Sequence, residues 1–178
     1  MEDATIERGE AERLAGKYMT FRLARQDFGV KILAVRELIR LLEITRVPGA
    51  PEFVRGVLNL RGKVIPVADL RRKFGMGETP LGEQTVVIVV QTGASPTGRG
   101  GTMGVLVDEV LEVVDIAADK LEPPPEIAGE IVATEHVLAV AKVANRLVFL
   151  LDIENALSHA AAKTAEAADA ATEIQAHA

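Results

Sequence analysis

From Lys17 onward apolar and polar positions alternate, with Met19, Phe21 and Leu23 interleaved by Thr20 and Arg22. A period of two marks a strand with one face buried. Arg25, Gln26 and Asp27 read as a polar turn, and Phe28, Gly29 and Val30 begin a second strand, so the pair predicts a hairpin. The period then changes in ILAVRELIRLL, where Ile32, Val35, Leu38, Ile39 and Leu42 sit at helix-like spacing, although Val and Ile suit a strand too. Residues 44–47 predict a short strand ended by Pro48 and Gly49. Pro51 presets a small helix over 52–55, which Gly56 stops. Residues 57–60 and 63–69 read as strands on either side of Arg61-Gly62, where Gly62 tolerates a positive φ. Pro66 cannot donate to a ladder and predicts an edge strand or a bulge. Asp69 is a good N-cap for a short helix over 70–74, closed by Gly75.

A Gly- and Pro-containing link over 76–83 marks an internal boundary between two sets of strands. Residues 84–91 (QTVVIVVQ) are apolar on both faces, the pattern of a fully buried strand. Residues 92–101 predict a flexible surface loop, and 103–114 alternate again. Residues 116–122 leave room for one more short strand or turn before the extended Pro123-Pro124-Pro125 connector. Two runs, 137–143 and 146–153, flank Ala144-Asn145 as a hairpin. A helix begins over 152–157 and enters an Ala-rich tail too poor in apolar anchors to hold it. Residues 1–16 read as a mobile or loosely docked arm, 17–159 as the folded module and 160–178 as the tail. Roughly nine or ten short strands with frequent turns predict an all-β protein with short helices, built from small barrels.

Composition narrows the chemistry. Hydrophobic residues make up 48% but aromatics only 3%, so Val, Leu and Ile must build the core. Twenty-six acidic against 20 basic residues give −6, which argues against a general nucleic-acid binder. Without Cys there is no thiolate catalysis and no Cys-ligated zinc. Met1 is followed by Glu2 and Asp3 rather than a signal peptide, and no apolar run approaches the roughly 18 residues of a membrane span; a cytoplasmic location is expected. His136, His159 and His177 are too scattered for metal ligation and read as solvated or capping side chains. Asp108 and Glu109 are strand neighbours that point to opposite faces, so they cannot serve one substrate as acid and base. Gly98-Arg99-Gly100-Gly101 lacks the Lys-Ser/Thr of a phosphate loop. Arg71, Arg72 and Lys73 with Arg61 and Lys63 form a dense basic patch with only Phe74 near for stacking, a composition suited to a protein partner. No enzyme, cofactor or metal site is expected. Arg61, set on a tight turn, has a donor fork matched to a carboxylate; the alternatives are an idle surface Arg or one tied to an internal acid such as Glu37.

The order of these segments resembles the CheW family of bacterial chemotaxis coupling proteins. Residues 18–23, Phe28-Gly29-Val30 and ILAVRE carry the start of the match. RVPGAPEFVRGVLNLRGKVIPVADLRRKFG carries its strongest part, with the V-x-N-L-R-G-x-x-[IV]-P-[IV]-x-D-L-R pattern nearly complete. TVVIVV, GVLVDEVLEV and RLVFLLDIENAL continue it in order, over about residues 17–158. The resemblance implies two five-stranded SH3-like β-barrels packed on a shared core, with a C-terminal helix. It further implies a non-catalytic adaptor joining the cytoplasmic tip of a chemoreceptor to the regulatory domain of the histidine kinase CheA, recruited to membrane-associated arrays. Matched position by position, Val35, Glu37 and the Asn59-Leu60-Arg61-Gly62 turn fall on the receptor and kinase coupling region, and Gly56 and Gly104 on glycines of close approach or tight turning. Competing classes are an adaptor of a non-flagellar pathway, a small ligand-binding or enzymatic barrel, and an oligonucleotide-binding barrel.

Overall fold

The computed structural model describes residues 6–94, 100–124 and 136–157. Eleven strands form two sheets among the described residues. The first contains β1 (Gly16–Leu23), β2 (Gln26–Lys31), β8 (Glu109–Ile116), β9 (Leu121–Glu122), β10 (Val137–Val143) and β11 (Arg146–Leu151), in the order β8-β1-β2-β11-β10-β9. The second contains β3 (Val35–Arg40), β4 (Val54–Leu60), β5 (Lys63–Asp69), β6 (Val86–Ala94) and β7 (Gly100–Val107), in the order β3-β6-β7-β5-β4. The sixth strand of the first sheet is only two residues long, so the two sets approach the expected five-plus-five.

Each sheet wraps its own apolar interior. Ile116 and Leu121 come from opposite edges of the first sheet yet share one cluster with Tyr18, Val148 and Leu150. In the second, Ile39 of edge strand β3 joins Leu58 of edge strand β4 around Ile65, Val67, Val87, Val89 and Leu106. Beyond β3 the chain reaches the far edge, where Thr45 bridges Val57 through two 2.8 Å backbone hydrogen bonds. A third cluster lies between the sheets: Met19, Phe21 and Phe28 meet Ile88, Val90, Met103 and Val105. The alternation of β6 therefore serves two cores at once, Val87 and Val89 inward and Ile88 and Val90 toward the neighbouring sheet. Each such side chain contributes about 1.5–3 kcal/mol when fully buried.

Several boundaries differ from the sequence expectation. Residues 76–83 lie on the connection between β5 and β6, two strands of the second sheet; the chain changes sheets instead at 32–34 and at Asp108. Residues 52–55 form no helix. Val54 donates to the Pro51 carbonyl at 2.9 Å in a single turn, and β4 starts there because Val54, Gly56 and Leu58 face inward. Residues 44–47 form only the bridge at Thr45. β5 is an interior strand, and Pro66 is accommodated because pairing with β7 begins only at Val67. The expected loop over 92–101 shortens, since Thr92 pairs with Gly101 and Ala94 with Gly100; Gly98 and Arg99 lie outside the described residues. The β1–β2 turn is Ala24-Arg25, one residue early. The ambiguous ILAVRELIRLL resolves into a 3-10 turn over Ile32–Ala34 followed by β3.

The N-terminal segment contains α1 (Arg8–Leu14), which closes one end of the first barrel with Ala11 and Leu14. The Tyr18 hydroxyl donates to the Leu14 carbonyl at 2.6 Å, and burial pushes the phenol above its ordinary pKa. At the other end of the chain, residues 153–157 are helical, with Asp152 accepting from the Asn155 N–H. The tail 160–178, with His177, and His159 lie outside the described residues.

Candidate functional site

The β4–β5 hairpin closes through a two-residue turn, Arg61-Gly62, between the paired Leu60 and Lys63. Both turn residues have positive φ, 52° and 87°, the geometry whose twist matches a two-residue hairpin. A Cβ on Gly62 would meet nothing within 4 Å, so the backbone conformation, not space, calls for glycine there. Arg61 takes the less favourable left-handed position for a side chain, and Asn59 supports it by accepting from the Gly62 N–H at 2.7 Å. The local sequence NLRG thus contains its own turn lock.

Arg61 projects outward with its side chain 71% exposed and ion-pairs with Glu37 of β3, which is 31% exposed. Twenty-four residues of sequence separate the two, and β3 and β4 are opposite edges of one sheet, so the pair spans the mouth where the barrel curls round. Leu60 packs beneath it against the barrel interior. The arrangement offers a guanidinium held near a carboxylate but still open to solvent, suited to a bidentate acceptor on a partner.

Other expected site residues occupy supporting positions. A Cβ on Gly56 (φ 144°) would stand 2.2 Å from the Thr45 carbonyl oxygen. Only glycine lets the chain after β3 cross β4 there, the crossing that brings the barrel's edges together. Val35 opens β3, pairs with Val90 and packs against the core between the sheets. Gly104 is buried in β7, where a Cβ would lie 2.7 Å from Val87 Cγ1. The structure therefore gathers Glu37, Asn59, Leu60, Arg61 and Gly62 at one mouth, and leaves Val35, Gly56 and Gly104 within the framework.

The basic patch of α2 (Leu70–Lys73) is engaged internally. Arg71 donates to the Glu78 carbonyl at 2.9 Å, Arg72 to the Glu52 carbonyl at 2.9 Å, and Lys73 lies 4.2 Å over the Phe53 ring. These contacts fasten the 75–79 segment against the start of β4. His136, expected as a solvated or capping side chain, is buried with its ring 6.3 Å from Phe74.

A second feature escaped the sequence. A cleft of about 610 Å³ opens between α1, the Ile32–Ala34 turn, the end of β6 and the 153–157 helix. Leu33 stands in it 93% exposed. The 3-10 turn over Ile32–Ala34 sets where Leu33 points. Glu154 anchors one wall by accepting from the Gly93 N–H at 3.0 Å.

Comparison with known proteins decides the family. The model of the CheW-like domain matches residues 17–161. The chain belongs to the CheW family. It is 34% identical to the chemotaxis protein CheW of Klebsiella aerogenes over 155 residues, covering 87% of this chain and 89% of the relative. It is also 34% identical to protein FrzA of Myxococcus xanthus over 126 residues, 71% of this chain and 74% of FrzA. The crystal structure of the scaffolding protein TtCheW from Thermoanaerobacter tengcongensis superposes with a TM-score of 0.69 at 33% identity, covering 81% of this chain and 88% of that one. The all-β fold expected from the CheW resemblance is the fold observed, two strand sets of six and five strands packed on a common core.

Proposed function

We propose that this CheW-family chain is a non-catalytic chemotaxis scaffold that couples chemoreceptors to the histidine kinase CheA. The observation that carries the reading is the solvent-open Arg61–Glu37 pair on a locked hairpin turn of a CheW-type barrel. Both barrel interiors are filled, by Tyr18, Val148 and Leu150 in one and by Leu58, Ile65 and Leu106 in the other. That favours docking on outer surfaces over a ligand site inside either barrel.

On this reading the mouth formed by Glu37, Asn59, Leu60, Arg61 and Gly62 receives the regulatory domain of the kinase, a barrel edge meeting a barrel edge. Gly56 and Gly104 act indirectly, by setting the strand crossings that hold the mouth in shape, and Val35 anchors β3 beside Glu37. The cleft beside Leu33 suits the apolar face of a helix, the form of a receptor's cytoplasmic tip. Among the described residues no helix is long and apolar enough to cross a membrane; the chain reaches membrane-associated arrays from the cytoplasm through its partners.

The test is reconstitution of this chain with CheA and a receptor signalling fragment. Kinase autophosphorylation is stimulated only when all three are present. Stimulation without this chain, or no binding to either partner, overturns the reading.

A further inference from the structure

The first barrel is closed differently at its two ends. α1 plugs one end with Ala11 and Leu14. At the opposite end, beyond Tyr18 and Thr20 on the same face of β1, stands an ionic cap. Asp27 uses one carboxylate oxygen for Arg22 Nε, at 3.2 Å, and the other for Arg146 Nη1, at 3.3 Å. With both oxygens engaged and its surface almost wholly covered, Asp27 works as a fixed post for two guanidinium groups.

Those groups face a cleft of about 590 Å³ between the tips of the β1–β2 and β10–β11 hairpins, where β2 and β11 part. Its lining is cationic and apolar: Arg22, Arg25 and Arg146 against Asp27, with Leu147 and Phe149 as a wall. Leu147 is 52% exposed. Arg25 is exposed and makes no ion pair or hydrogen bond among the described residues. Three cations and one carboxylate line the cleft of a chain of net charge −6, and the Asp108 carboxylate stands behind the turn, accepting from the Ala24 N–H at 2.7 Å and lying 3.8 Å from Arg71. Glu109 and Glu112 do reach Arg22 and Arg146, but from β8, outside the cleft, and through exposed pairs of the kind that exchange readily.

We propose that this cleft is a second docking site, separate from the Arg61 mouth, that takes a carboxylate-bearing segment of a partner protein with an apolar residue beside its acidic ones. Arg25 supplies the free donor fork, Arg146 and Arg22 turn from Glu112 and Glu109 toward the incoming carboxylates, and Leu147 covers the apolar residue. Nucleic acid fits less well. Phe149, the one aromatic ring in the lining, is already packed on Phe28 at 5.7 Å between centroids, and the net negative chain repels a polyphosphate.

The inference stands apart from the coupling role, and its test is built to keep them apart. Isotope-labelled full-length chain is titrated with a short blocked peptide containing Glu-Leu-Glu, its Gln-Leu-Gln counterpart, inorganic phosphate and a single-stranded oligonucleotide, with amide shifts followed by NMR. The acidic peptide is expected to give saturable shifts confined to 24–27 and 146–149, with at least tenfold weaker response from the amide counterpart. Arg25→Glu, which breaks no internal contact, weakens binding at least fivefold, Leu147→Ser weakens it less, and Arg61→Ala leaves it unchanged. Equal response to the two peptides, shifts centred on 59–62, stronger response to phosphate or oligonucleotide, or full binding by Arg25→Glu each overturns the proposal.

Discussion

The β4–β5 hairpin carries a charged site at each end, and the two are built on opposite principles. Where β5 enters α2, Asp69 is fully buried and wholly satisfied: it accepts from Arg55 Nη1, Arg71 N–H and Thr79 N–H, each at 3.0 Å, and from the Thr79 hydroxyl at 2.7 Å. One carboxylate thereby ties together β4, the start of α2 and the segment leading to β6. At the turn, Arg61 has one partner, Glu37, and stays largely in solvent. A buried charge with every lone pair used is costly to disturb, whereas an exposed pair adds about 0–1 kcal/mol. The same hairpin thus separates a charge that holds the molecule together from one left in solvent.

The comparison can be broken in four places. Asp69→Ala strands Arg55 and the Thr79 groups in the interior and should cost about 3–5 kcal/mol, read as a lowered urea midpoint. Gly56→Ala sets a Cβ against the Thr45 carbonyl and should cost about 2–3 kcal/mol, with hydrogen exchange at Thr45 and Val57 rising first because their reciprocal bonds are lost. Arg61→Ala should leave folding within about 0.5 kcal/mol while weakening partner binding by about 1–2 kcal/mol, as calorimetry of each complex would report. Tyr18→Phe removes the bond to the Leu14 carbonyl for about 1 kcal/mol. Because burial raises the Tyr18 pKa in the folded state, its contribution is complete below the unfolded value near 10 and is lost as pH climbs through the folded value. The stability of Tyr18→Phe should therefore fall less steeply than the parent's above about pH 10.

Strands were legible where local periodicity alone decides them. Residues 17–23 alternate apolar with polar, residues 137–143 and 146–153 are apolar runs flanking Ala144-Asn145, and the paired strands lie there. Which strands share a sheet was not legible, because β7 and β8 read as one continuous alternation and nothing local marks Asp108 as the residue where the chain returns to the first sheet. Pro51 misled for a related reason: its φ suits a helix start, but the inward-facing Val54 and Leu58 pull the chain into β4. At the site, NLRG announces its turn, whereas the pairing of Arg61 with Glu37 depends on barrel curvature that brings two sheet edges together. Glu37 does enter the sequence reading as an internal acid to which Arg61 could be tied, one of the alternatives to a partner role, and through the CheW resemblance, which places it in the coupling region; the pair is present.

The central claim is that Arg61 acts toward a partner and uses Glu37 only to hold it ready. A charge exchange tests this directly: Glu37→Arg and Arg61→Glu are made singly and together, and binding to the CheA regulatory domain is measured beside thermal stability. The account predicts that the double variant is as stable as the parent, its internal pair restored in reverse, yet binds no better than Arg61→Glu alone. Recovery of binding to the parental level in the double variant would contradict it, because the pair would then serve only the barrel itself.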